Sequence, residues 1–338
     1  MRRTETSKNR VIAPQVAWGK GLVLCCIVFA WLSCYSAEAW IARTTLFEER
    51  SAGFTLYRIP GIVVTKRGTA LAYCEARKFS EADRGEIEIH MRRSTDGGRT
   101  WDAVRQVAHL GPRLPRNPHL PADKKKKDMG GPNEQTVNNP VGLAARDGSV
   151  HLIYCVEYRR CFHIRSDDDG LTWSAPMEIT PAFEAFRDEL DWQAIATGPG
   201  HAIQLSSGRM VAPFWMANYE ENAPLRKAVG VIFSDDGGET WQRGGIAIRN
   251  GGEPNIAECP EGNIILTTRN SNPRNRRLVS FSKNGATGWT PPVIAEELPE
   301  PGCMAGLVSH PGSDGIPARS CFFPIQTPRS ANTRRGET

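Results

Sequence analysis

One eight-residue turn recurs along this chain and limits what it can fold into. Ser94-Thr95-Asp96-Gly97-Gly98-Arg99-Thr100-Trp101 returns as Ser166-Asp167-Asp168-Asp169-Gly170-Leu171-Thr172-Trp173 and again as Ser234-Asp235-Asp236-Gly237-Gly238-Glu239-Thr240-Trp241. A decayed fourth copy runs from Ser282 to Trp289, with Asn284 in place of the Asp, Ala286 of the Gly and Gly288 of the Thr. Each copy follows one apolar run and precedes another, so each reads as a hairpin turn at the same place in a repeated β unit. The Asp carboxylate accepts backbone N–H bonds, the Gly permits positive φ, and the Trp packs beneath as a plug. Four-stranded units that cover one another's faces make a propeller.

The segments between the turns are written for strands. GIVVT, TALAY, EIEIHMRRS, SVHLIYCVEY, CFHIRS, AVGVIFS, NIILTTR and RRLVSFS alternate or run apolar and are broken by Gly, Pro, Asn and Asp. Helical periodicity is scarce, and Pro181 to Leu190 is the one short candidate. The predicted fold is all-β. With 338 residues and 40% apolar content, the chain can bury a large core without metals or disulfides.

The first thirty-nine residues read as an export signal: Arg2, Arg3, Lys8, Arg10 and Lys20 precede an apolar run from Gly21 to Leu32, and Ala37-Glu38-Ala39 supplies a small-x-small cleavage pattern. That apolar run is short for a spanning helix, which needs about 20 residues, so export with cleavage is expected over a retained N-terminal anchor. Residues 40–338 are then one domain. A net charge of +5 is thinly spread, and the only dense basic run, Lys124 to Lys127, reads as a solvated loop rather than a nucleic-acid site. Neither C-x-x-C nor H-x-x-x-H spacing occurs, so no metal site and no cofactor are expected. Six cysteines follow the signal; Cys155 and Cys161 are placed to face each other across a hairpin, as thiols or as a disulfide.

Three segments carry chemistry. Tyr57-Arg58-Ile59-Pro60 lies on a strand, Asp83 sits in the loop Glu81-Ala82-Asp83-Arg84-Gly85, and Glu253-Pro254-Asn255 is followed by Arg269 at the end of a strand. Together with the repeated turns, this order resembles the catalytic domain of the sialidase (neuraminidase) family, whose turns are its Asp-box, or BNR, repeats. The resemblance covers residues 54 to about 310. It implies a six-bladed propeller and a retaining exo-α-sialidase that releases terminal sialic acid from glycoconjugates. A sialic acid carries a carboxylate on its anomeric carbon. Arginines suit its binding, and a tyrosine replaces the usual carboxylate nucleophile, with a Glu to take its proton.

By the same resemblance, Arg58 and Arg269 bind the substrate carboxylate, Asp83 is the acid/base, and Glu253 activates the tyrosine. Arg77 matches an extra substrate-side arginine, the plainer reading being a pair with Glu75. Glu81 and Glu86 are rival carboxylates to Asp83, and Glu258 is expected to be structural. The family's third arginine and its late Tyr-Ser segment find no match here, although Arg334 and Arg335 fall near the place of the former. The chain is therefore expected to be a C-terminally truncated form with an incomplete last blade. Two other readings stand beside the enzyme: a sialoside-binding propeller without turnover, and an Asp-box scaffold with no sugar site.

Overall fold

The computed structural model describes residues 43–109, 111–121, 131 and 133–310, and the strand Arg319–Pro324. The predicted export signal, the run Lys124 to Lys127, and Arg334 and Arg335 lie outside the described residues. All strands belong to one compact unit, Thr45–Thr338.

Four antiparallel sheets follow one another in chain order as the blades of a β-propeller, and a two-stranded fifth follows them. The first runs Leu56–Val64, Ala70–Arg77, Ile87–Ser94 and Arg105–Gln106. The second runs Val137–Ala144, Val150–Val156, Arg160–Ser166 and Met177–Glu178, with Gly200–His201 added in parallel to its first strand. In the third, Met210–Ala217 is flanked by Ala194–Thr197 and Ile203–Gln204, then by Lys227–Ser234 and Gln242–Arg249. The fourth runs Gly252–Glu258, Ile264–Arg269, Arg276–Ser282 and Val293–Pro299, and the fifth pairs Ala305–His310 with Arg319–Pro324. Among the described residues there is no sixth sheet. The predicted helix is a single turn, Pro181–Glu184, because Phe183 and Phe186 are drawn down onto Phe214 of the third blade.

Each seam between blades is an apolar cluster. Leu71, Tyr73 and Ile89 meet Leu152 and Tyr154 between the first and second blades. Val141 and Ile153 meet Ala212 and Phe214 between the second and third. Val211 and Val229 meet Ile256 and Leu266 between the third and fourth. Burying each large side chain in such a seam contributes roughly 1.5–3 kcal/mol. The first strand of the second blade is buried along nearly its whole length, whereas Ile62 and Val64 of Leu56–Val64 are 57% and 60% exposed.

The repeated turns form as their residues dictate. Asp168 Oδ1 accepts the Thr172 N–H at 2.8 Å and Asp236 Oδ1 the Thr240 N–H at 2.9 Å, while the hydroxyls of Ser166 and Ser234 take the N–H of Gly170 and Gly238 at 2.8 Å. Bonds from the Thr side chains and N–H groups hold both Asp carboxyls down at about 2. Cys155 and Cys161 are opposite in register as buried free thiols. No helix among the described residues is long and apolar enough to cross a membrane.

Candidate active site

A recurring backbone device builds the site. The innermost strands of the first, second and fourth blades each carry a register shift at an x-Pro step: Ile59-Pro60, Asn139-Pro140 and Glu253-Pro254. Proline has no N–H to give to a ladder, so it settles at bulges, and a bulge re-aims neighbouring side chains. The residue before each proline has positive φ, 56° at Ile59, 53° at Asn139 and 41° at Glu253. For a β-branched residue such as Ile59 this is a strained conformation held by its surroundings.

The three bulges open on one cleft of about 600 Å³, lined by Arg58, Arg77, Asp83, Glu253 and Arg269 among others. The five residues read from the sequence are thus brought together although they come from distant segments. Arg58 Nη1 stands 3.9 Å from Asp83 Oδ1, and Arg269 Nη1 donates to Glu253 Oε2 at 2.7 Å. The Arg58 and Arg269 side chains are 44% and 45% exposed, so both offer donors to the cleft. Burial acts to lower the Arg269 pKa, and the Glu253 carboxylate outweighs it, so the guanidinium stays charged.

Arg77 differs. Its side chain is only 2% exposed, with Nε and Nη2 given to Glu75 Oε2 at 3.2 and 2.7 Å and Nη1 given to Asp83 Oδ1 at 2.8 Å and the Glu81 carbonyl at 2.9 Å. The pairing with Glu75 read from the sequence is present. Of the rival carboxylates, Glu86 is engaged elsewhere, taking both ends of Arg113 at 2.7 Å, and Glu258, expected to be structural, accepts from the N–H and hydroxyl of Ser206 at 2.7 and 2.5 Å.

The structure adds residues that the sequence reading missed. Tyr57, Tyr158, Tyr219 and Trp215 line the cleft as aromatic walls. Burial is the leading cause that lifts the phenols of all three tyrosines above their ordinary range. Beneath the cleft, the buried Arg277 donates to Glu300 Oε2 at 2.8 Å and to the Thr267 hydroxyl at 3.1 Å. Glu300 Oε1 in turn accepts from the N–H of Gly302 at 2.7 Å and of Cys303 at 3.2 Å, which fixes the turn Gly302–Met304 in the cleft wall. A pair of arginines, Arg276-Arg277, opens the strand that carries this network, and nothing in the sequence says which of the two turns inward. Among the described residues no group of three or more His, Cys, Asp or Glu is placed to hold a metal ion.

The family model described as BNR repeat-like domain matches residues 118–313. A sialidase from Bacteroides fragilis is 31% identical over 284 residues, covering 80% of this chain and 49% of that protein. An exo-alpha-sialidase from Arthroderma benhamiae is 27% identical over 294 residues, covering 84% of this chain and 65% of the relative. Among solved structures, the Hadza microbial sialidase Hz136 superposes with a TM-score of 0.59 at 26% identity, over 77% of this chain and 51% of that one. The chain belongs to the sialidase family of BNR-repeat proteins. Trypanosoma rangeli sialidase, solved in complex with 2,3-difluorosialic acid as a covalent intermediate, shares the fold with a TM-score of 0.60 at 20% identity, over 80% of this chain and 46% of that one. In this sialidase-family domain the BNR turns contribute no residue to the cleft, which is built from inner strands and their connections.

Proposed function

We propose that this domain binds the terminal sialic acid of glycoconjugates in the cleft and releases it as a retaining exo-α-sialidase. Arg58 and Arg269 would take the sugar carboxylate, Asp83 would protonate the departing oxygen, and Glu253 would take the proton of the attacking group. The observation that carries this reading is the convergence of Arg58, Asp83, Glu253 and Arg269 on one cleft. Two half-exposed guanidiniums facing a cleft suit a planar carboxylate, because each can donate two parallel N–H bonds to it. An extracytoplasmic location, reached through the signal in residues 1–39, belongs to the same proposal. Purified chain incubated with a fluorogenic sialoside should release fluorophore, and Asp83→Asn should lower that rate at least about a hundredfold. Equal turnover by the variant would sink the assignment of Asp83.

A second reading, a sialoside-binding propeller without turnover, is favoured by the engagement of Glu253. Its carboxylate is bonded to Arg269 at 2.7 Å, and the three tyrosines in the cleft wall have phenols lifted rather than lowered in pKa. Retention of the chain on immobilised sialosides with no release of sugar would select this reading.

A further inference from the structure

We propose that Glu75 and Arg77 are positioning residues that fix Asp83 at the edge of the cleft, and that the second blade anchors them. The role given to Asp83 rests on the reading above; the mechanical coupling does not.

Glu75 and Arg77 are two apart on the strand Ala70–Arg77 and so share a face of the sheet. Their side chains are 1% and 2% exposed. A buried ion pair is tolerated when the remaining lone pairs and protons also find partners. Here they do: Glu75 Oε2 accepts two bonds from Arg77, while Oε1 accepts the Asn139 N–H at 2.9 Å. That N–H comes from the bulge at Pro140, so the irregularity in the second blade's inner strand supplies the third bond to Glu75.

The guanidinium therefore has one edge fastened inside the protein. Its other end, Nη1, reaches Asp83 Oδ1 at 2.8 Å and the Glu81 carbonyl at 2.9 Å. The Asp83 side chain is 66% exposed, and an exposed ion pair between two free side chains contributes only about 0–1 kcal/mol. A donor already immobilised loses little further freedom on forming the bond, which makes this pairing more persistent than its exposure suggests. The second blade grips the loop again from the other side, where the Tyr158 hydroxyl donates to the Asp83 carbonyl at 3.1 Å. Charged and titratable groups around Asp83 include Arg58 on the first strand, Glu75 and Arg77 on the second, Arg84 on its own loop and Tyr158 on the second blade's hairpin. Burial raises the Glu75 pKa, against the pull of Arg77 and the Asn139 N–H, in keeping with a carboxylate held by its partners rather than by water.

The test follows the Asp83 carboxyl by carbon NMR titration in the full chain, with Asp83→Asn assigning the resonance. In Glu75→Gln the charge of Arg77 is no longer shared, so the Asp83 midpoint should move down by about one pH unit. In Arg77→Gln the midpoint should move up by about one unit or more, and amide exchange across residues 79–85 should quicken. Shifts of opposite sign are something a purely structural pair would not produce. Should Glu75→Gln fail to fold, Arg77→Lys serves: an ammonium cannot reach both carboxylates with a fork, so exchange across the loop should quicken although the charge is kept. Identical midpoints in wild type, Glu75→Gln and Arg77→Gln would overturn the proposal. Because the readout needs no turnover, an inactive wild type with shifted midpoints would sink the sialidase reading alone, and an active one with unshifted midpoints would sink the positioning role alone.

Discussion

Arg58 and Arg269 hold their places in the cleft by different means, and their replacement should separate the two. Arg58 has a carboxylate at 3.9 Å, beyond hydrogen-bond range, whereas Arg269 is bonded to Glu253 at 2.7 Å. Arg58→Ala should therefore remove a ligand contact and little else: calorimetry with free sialic acid should show affinity falling about 10- to 100-fold, with unfolding stability nearly unchanged. Arg58→Lys should not restore it, since a point charge lacks the planar fork. Arg269→Ala leaves the Glu253 carboxylate facing the cleft unpaired, so it should lose at least as much affinity through added repulsion of the ligand's own charge. Equal binding by wild type and Arg58→Ala would remove this arginine from the site. That these residues share one cleft was legible because their motifs and order along the chain resemble those of the sialidase family. Arg277 and Glu300 were not, because a buried ion pair is written with the same letters as a solvated one. Glu75 and Arg77 lay between these cases. Two charges at alternate positions of an otherwise apolar strand do signal a shared inner face, so their pairing was legible but the bond onward to Asp83 was not.

Among the elements, the repeated turns were read correctly as hairpins, yet their second task appears only in three dimensions. The turn of each blade after the first seats on the blade before it: a Cβ at Gly170 would stand 2.9 Å from the Leu71 side chain, one at Gly238 2.9 Å from His151, and one at Gly285 2.9 Å from Leu205. At Gly98, the equivalent place in the first turn, the nearest atom among the described residues is on Trp101 at 3.7 Å. Gly98 and Gly170 have similar φ, 87° and 77°, so alanine incurs a similar backbone strain at both, about 1–2 kcal/mol. Gly170→Ala adds overpacking against Leu71, a further 1–3 kcal/mol or so. Urea unfolding should place Gly170→Ala below Gly98→Ala by that margin, and the margin should close when both are compared in a Leu71→Ala background. Equal midpoints for the two single variants would mean that the turn does not clamp its neighbour. The x-Pro bulges were half legible. Arg58-Ile59-Pro60 stood out as a motif, while Asn139-Pro140 and Glu253-Pro254 are the same device with different letters, recognisable only once the blades are superposed by their turns.

For the molecule as a whole, the blade seams decide how stability responds to acid. Between the second and third blades His151 and His163 stack with centroids 5.1 Å apart, and Nδ1 of one lies 2.8 Å from Nε2 of the other. Ser149 Oγ is 2.9 Å from the far nitrogen of His151, and Trp241 of the third blade meets the ring of His163 edge-on. One imidazole must donate to the other, so protonating the acceptor breaks the bond. Burial, aided by Arg165, pushes His151 down to about 4, and burial, with His151 and Arg165 beside it, pushes His163 down to about 3. In the unfolded chain both take protons near pH 6.5. Below that pH the unfolded state binds more protons than the native one, so the stability of the neutral pair is complete above pH 6.5 and drains away as pH falls towards 4 and then 3. Each imidazole inside its window contributes a slope of about 1.4 kcal/mol per pH unit. His109 and His201 shift in the same direction through burial, whereas Glu75 and Glu157, raised by burial, act with opposite sign. A variant is therefore needed to isolate the pair. Urea unfolding of wild type and His163→Gln between pH 6.5 and 4.5 should show the variant less stable at neutral pH but shallower in slope by about one imidazole's share. Parallel slopes would show that this seam carries no buried neutral histidine.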